Sequence, residues 1–123
     1  MILRGGQSPN YDNENVNTAA QMLESAGCSP RLMVDFSHAN SGKQHRGQIT
    51  VGTDVSSQLA QGENRIVGVM IESHIVEGRQ DVVAGCDLVY GQSITDACLG
   101  WDDTVQVIDQ LASAVDARRS LSR

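Results

Sequence analysis

The chain reads as an α/β protein in which strands alternate with helices and pair in parallel. Two observations carry that reading. The apolar runs Leu32-Met33-Val34 and Ile66-Val67-Gly68-Val69-Met70-Ile71 lack a polar alternation, as strands covered on both faces do. Around them, stretches with apolar residues at helical spacing place a helix after each strand. Such units cross over right-handed and suit either a doubly wound sheet or three-eighths of a β/α barrel. With 123 residues the chain is one domain or part of one.

Taken in order, Met1-Ile2-Leu3-Arg4 reads as the tail of a strand, and Gly5-Gly6-Gln7-Ser8-Pro9-Asn10 is a loop of turn formers. So short an opening strand has no obvious partner, which suggests a missing amino-terminal portion. Asp12 is placed to cap the first helix, with Glu14 at the positive end of its dipole. Val16, Ala19, Ala20 and Leu23 form its apolar face and Gly27 ends it. The strand at Leu32-Met33-Val34 runs into Asp35-Phe36-Ser37-His38-Ala39-Asn40. A second helix is expected over residues 43–61, with Ile49, Val55 and Leu59 inward. Gly47 and Gly52 lie inside it, each weakening a helix by about 1 kcal/mol relative to Ala. After the strand at 66–71 comes a long segment, 72–103, with turns at Gly78, Gly85, Gly91 and Gly100. A structureless stretch of that length is usually functional. Thr104 then caps a last helix whose apolar face is Val105, Ile108, Leu111, Ala112 and Val115. Arg118 and Arg119 suit its negative end, and residues 120–123 read as a frayed tail.

A hydrophobic content of 40% with 20% charged residues excludes disorder, and no apolar run is long enough to span a bilayer. The formal charge of −6 gives no general attraction to nucleic acid or an anionic membrane. Cys28, Cys86 and Cys98 form no CxxC pair, and the opening residues lack the layout of a signal peptide, so reduced thiols in a cytoplasm are expected.

Polar residues with useful chemistry follow the strands. His38 lies just beyond the second strand, Glu72 directly follows the third, and Asp96 lies in the long segment. In β/α folds the site is built at the carboxyl ends of strands. One imidazole and two carboxylates suit a divalent cation of borderline hardness, Mn, Fe, Co or Zn. Solvated loop acids would show the same spacing. Arg4, beside Gly5 and Gly6, is either a bidentate phosphate ligand or a surface arginine before a turn.

Ile2-Leu3-Arg4-Gly5-Gly6 with Pro9-Asn10-Tyr11, Asp35-Phe36-Ser37-His38-Ala39-Asn40, Gly68-Val69-Met70-Ile71-Glu72-Ser73-His74 and Tyr90-Gly91-Gln92-Ser93-Ile94-Thr95-Asp96-Ala97-Cys98 occur in that order, and Gly100-Trp101-Asp102-Asp103-Thr104 leads into the last helix. These stretches resemble the LRGG…PNY, DFSHAN, GVMVESH and YGKSITDAC motifs of type I 3-deoxy-D-arabino-heptulosonate 7-phosphate (DAHP) synthases. The resemblance runs from Met1 to Arg119 and implies the carboxyl-terminal three-eighths of a TIM (β/α)8 barrel over residues 1–119. It implies that His38, Glu72 and Asp96 are three of the family's four metal ligands. Arg4 would hold the phosphate of phosphoenolpyruvate, with His38 beside that substrate and catalytic. The family condenses phosphoenolpyruvate with D-erythrose 4-phosphate and water to give DAHP and phosphate, the first step of the shikimate pathway to chorismate and the aromatic amino acids.

The GPCS stretch that carries the family's fourth ligand, a cysteine, does not occur in the chain, nor does the KPRT loop that contacts both substrates. A closed barrel needs about 250 residues. The chain alone is therefore expected to be inactive, with the remainder of the barrel or a homo-oligomer as partner. The alternative is a non-catalytic or split-enzyme module that docks a synthase partner.

Other residues carry blander expectations. His45 is a solvated helix residue, His74 shapes its loop, and Glu77 is a rival carboxylate at the surface. Lys43 is phosphate-facing or solvated, Trp101 packs the long segment onto the last helix, and Cys98 is a small buried residue.

Overall fold

The computed structural model describes residues 1–121. Its elements are β1 (Ile2–Leu3), α1 (Asn13–Ser25), β2 (Leu32–Asp35), α2 (Gly47–Ala60), β3 (Ile66–Met70), β4 (Val76–Arg79), β5 (Gln92–Ser93) and α3 (Trp101–Leu121). β1, β2 and β3 form a parallel sheet in chain order, with Leu3 opposite Val34 and Asp35 opposite Met70. The opening strand, for which the sequence offered no partner, thus pairs with β2. No described helix is long and apolar enough to cross a membrane.

α1 forms as its sequence dictates. The Asp12 side chain accepts from the Asn15 backbone N–H at 3.1 Å, and Val16, Ala19 and Ala20 are buried. α2 begins later than residue 43, because Gly42 and Lys43 take left-handed φ values of 62° and 60° that no α-helix admits. His45 accordingly lies in the turn before the helix. The two glycines of α2 have packing reasons. A Cβ on Gly52 would stand 3.1 Å from both Phe36 Cε2 and Val107 Cγ1, and one on Gly47 would stand 2.5 Å from the Ser41 carbonyl oxygen. Gly52 lets α2 approach Phe36, just beyond β2, and Val107 of α3 together, and the fully buried Phe36 fills the space beneath it.

The segment 72–103 is not structureless. β4 and β5 pair in parallel, and the Cys98 and Gly78 backbones exchange N–H···O bonds of 2.9 and 3.1 Å. α3 starts at Trp101, so Thr104 sits inside its first turn and donates its hydroxyl to the Gly100 carbonyl at 2.8 Å. The buried positions of α3 are Thr104, Val107 and Ala114, with Leu111 and Val115 packed at the margin. Val105 and Ile108, expected inside, are 39% and 51% exposed. The apolar stripe of α3 is wide, and α2 is its main neighbour among the described elements. Trp101 is 60% exposed, with its backbone N–H donating to the Ile75 carbonyl of the long segment at 3.3 Å. The helix runs through Leu121, beyond the expected start of a tail at 120; residues 122–123 lie outside the described residues.

The far end of the sheet is tied by ions. Arg65 reaches Glu63 at 2.9 Å (Nε to Oε1) and 2.5 Å (Nη2 to Oε2), and Arg118 donates to the Glu63 carbonyl at 2.9 Å. The Arg65 hydrogen bonds hold the Glu63 carboxyl below the usual carboxylate range, against the opposing effect of burial. A carboxylate whose pKa falls on folding stabilises the native state above the unfolded value, 4.5, and loses that contribution as pH falls through the folded value. Glu63→Gln is therefore expected to flatten the loss of stability between about pH 5 and pH 3, read by urea unfolding. Gly52→Val is expected to cost about 1–3 kcal/mol by overpacking, read as a lower urea midpoint at unchanged slope.

Candidate metal centre

The centre begins where β2 ends. Asp35 pairs with Met70, and the Phe36 N–H donates to the Met70 carbonyl at 2.9 Å. The chain then turns. The Asp35 Oδ1 accepts the Ser37 N–H at 2.8 Å, an Asx turn, and His38 takes φ 53°. The buried Asp35 Oδ2 lies 2.8 Å from His38 Nδ1. A ring whose Nδ1 donates to that carboxylate would leave the Nε2 lone pair for a ligand in the cleft.

Glu72 stands two residues beyond β3, on the same rim of the sheet. Ser37 donates its hydroxyl to Glu72 Oε2 at 2.6 Å, and Glu72 Oε1 lies 3.9 Å from His38 Nε2. Asp96 arrives from the loop after β5 and is exposed. One donor atom from each of His38, Glu72 and Asp96 lies within 4.8 Å of the others. One nitrogen and two carboxylate oxygens at that spacing fit a divalent cation, because a single ion between them can reach all three.

Arg4 borders the same cleft, which has a volume of about 780 Å³. It is placed by a relay of amides. Asn40 donates to the Leu3 carbonyl at 3.1 Å and the Asp35 carbonyl at 2.7 Å, and accepts the Asn10 N–H at 2.8 Å. Asn10 in turn accepts the Gly5 N–H at 2.8 Å. Gly5 has φ 77° and lies so close to the His38 turn that a Cβ would stand 2.7 Å from Ala39 Cβ, which only glycine permits. Among the described residues, neither the Arg4 guanidinium nor the Lys43 ammonium is held by an ion pair, and both line the cleft.

A model of the DAHP synthetase I family matches residues 1–109. The chain belongs to the DAHP synthetase I family. It is 53% identical over 119 residues to the Phe-sensitive phospho-2-dehydro-3-deoxyheptonate aldolase of Escherichia coli (strain K12), covering 97% of the chain and 34% of that protein. To the phospho-2-dehydro-3-deoxyheptonate aldolase of Haemophilus influenzae it is 54% identical over 120 residues, with 97% and 33% coverage. Its fold matches that of the phospho-2-dehydro-3-deoxyheptonate aldolase from Francisella tularensis SCHU S4 with a TM-score of 0.90 and 43% identity, over 95% of this chain and 34% of that one. The chain thus corresponds to a carboxyl-terminal part of a type I DAHP synthase and spans about a third of the length of these relatives.

The four site residues singled out in the sequence, Arg4, His38, Glu72 and Asp96, all face one cleft of this DAHP synthetase I domain. Glu77 does not join them. It is bound by His45 at 3.3 Å and Arg46 at 2.9 Å, and the His45 hydrogen bond leads in holding its carboxyl below the usual range. His74 is exposed and accepts the Ile75 N–H through Nδ1 at 2.8 Å. Cys98 is half-buried, with its thiol directed to the Asp96 carbonyl at 3.5 Å. Burial pushes that thiol up, and the Glu72 and Asp96 charges add to the rise against a lowering Ser93 hydrogen bond. Sequence reasoning missed the supports Asp35, Ser37 and Asn40 as functional, although Asp35 three residues before a histidine is a readable Asx signal. It also missed Arg79, which borders the cleft while donating to the Thr95 carbonyl at 2.9 Å. Asn40→Ala is expected to cost about 2–3 kcal/mol, since it strands buried backbone groups on both rim loops. Thermal unfolding would read the loss, and limited proteolysis within residues 4–10 would rise with it.

Proposed function

We propose that this chain supplies the metal-binding and phosphate-facing rim of a DAHP synthase. That enzyme condenses phosphoenolpyruvate with D-erythrose 4-phosphate and water to give DAHP and phosphate, opening the shikimate route to chorismate and the aromatic amino acids. The convergence of His38, Glu72 and Asp96 donor atoms within 4.8 Å carries the reading. Residues 1–119 are the carboxyl-terminal three-eighths of a (β/α)8 barrel. The consecutive parallel order β1-β2-β3 and the match to about a third of a full-length relative support that fraction. The setting is cytoplasmic, and neither nucleic acid nor membrane is a partner.

In this reading the chain's own groups hold and orient. Arg4, free of intramolecular ion pairs among the described residues, binds the phosphate of phosphoenolpyruvate through a planar, charge-assisted fork. His38 turns Nε2 toward the cleft because Asp35 anchors Nδ1, and Ser37 sets the Glu72 carboxylate beside it. A divalent ion, Mn, Fe, Co or Zn, held by these ligands would serve as a Lewis acid for the aldehyde.

The chain lacks the GPCS cysteine and the KPRT loop, so the other barrel strands, or a partner chain carrying them, complete the site. The outer strands offer unpaired edges for that union, and Val67 on β3 is 60% exposed. The purified chain is expected to form no DAHP by itself, and co-expression with a chain bearing GPCS and KPRT is expected to restore turnover. Product formed by the chain alone would refute the first statement. A stable but inactive complex would favour a docking module over a split enzyme. His38→Ala is expected to weaken Mn(II) binding by at least about ten-fold, measured by calorimetry. Unchanged affinity would remove His38 from the ligand set.

A further inference from the structure

We propose that Gln48 is a positioning residue for the metal centre: its side-chain amide grips the Glu72 backbone and thereby sets where the Glu72 carboxylate stands. The inference rests on the divalent-cation reading above.

β3 loses its pairing with β2 after Met70, so the peptide groups of Glu72 have no strand partner in the sheet. Buried peptide groups must find partners elsewhere. Gln48, in the first turn of α2 and completely buried, supplies them. Its Oε1 accepts the Glu72 N–H at 2.8 Å and its Nε2 donates to the Glu72 carbonyl at 3.0 Å. One side-chain amide thus replaces the neighbouring strand. The same Glu72 carbonyl accepts the Leu99 N–H at 2.9 Å. Glu72 is therefore held from α2 on one side and, on the other, by the segment that carries Asp96 three residues earlier. Moving this peptide would shift Glu72 relative to both His38 and Asp96. Carboxylate ligands tolerate little such displacement, and supports of this kind typically govern metal affinity by about 10–100-fold.

A purely structural glutamine makes a different prediction, and α2 contains the control. Gln58 is also buried, and its hydrogen bonds go to the Tyr11 carbonyl at 2.8 Å and to Asp54 at 2.6 Å, neither of them a metal-ligand residue. Gln48→Glu preserves size and the acceptor for the Glu72 N–H, yet opposes an oxygen to the Glu72 carbonyl. Gln48→Met preserves bulk and removes both bonds.

The experiment is a Co(II) titration of the full 123-residue chain, followed by visible absorption, with hydrogen exchange of the Glu72 amide measured in parallel. Gln48→Glu and Gln48→Met are expected to weaken Co(II) binding by about ten-fold or more. Gln58→Met is expected to lower stability while leaving Co(II) affinity within about two-fold. Parent-like affinity in the Gln48 variants, or an equal loss in Gln58→Met, would overturn the proposal. Should the Gln48 variants fail to fold, the parent decides: a Glu72 amide that exchanges as fast as an open loop rules out the grip, and a protected one supports it. A parent chain that binds no Co(II) at all would instead sink the cation reading beneath it.

Discussion

Everything at the rim follows from the parallel pairing of β2 with β3. Parallel strands point their carboxyl ends the same way, so residues a few positions past each end emerge on one edge. Asp35 opposite Met70 sets the level at which both strands stop. His38 and Glu72, 34 positions apart by number, consequently meet with 3.9 Å between Nε2 and Oε1. A one-residue slip of β2 against β3 would carry the Asp35–His38 pair away from Glu72.

Around that edge the fold spends buried polar groups rather than apolar ones. Asp35, Ser37, Asn40 and Gln48 are buried, and each is satisfied by a group of the rim. Buried hydrogen bonds contribute modestly to net stability, but leaving one partner unmatched costs about 1–3 kcal/mol. The consequence is rigidity: alternative positions of the His38 turn or of Glu72 would each strand a buried donor or acceptor. Arg4 and Lys43, neither held by an ion pair among the described residues, line the cleft beside this network.

The surface of α3 has another character. Trp101, Val105 and Ile108 recur along α3 at helical spacing and stay exposed, as does Val67 on β3. An apolar stripe broader than one neighbour can cover is what a helix needs when packed on two sides. This agrees with a chain whose matched relatives are about three times as long.

The sequence by itself determined the strand–helix order, the N-cap at Asp12, the family and the four residues that face the cleft, because periodicity, capping chemistry and motif order are local properties. It did not determine where α2 starts, which face of α3 is buried, or that residues 72–103 contain a paired two-stranded element. The start of α2 depends on the left-handed turn that Lys43 adopts to bond the His38 carbonyl at 2.9 Å, and the face of α3 depends on how closely Gly52 lets α2 approach. The convergence of Asp96 on His38 and Glu72, and the grip of Gln48 on the Glu72 peptide, arise from contacts between distant segments. Only tertiary structure decides such contacts, since the chain's local preferences are the same whether or not those segments meet.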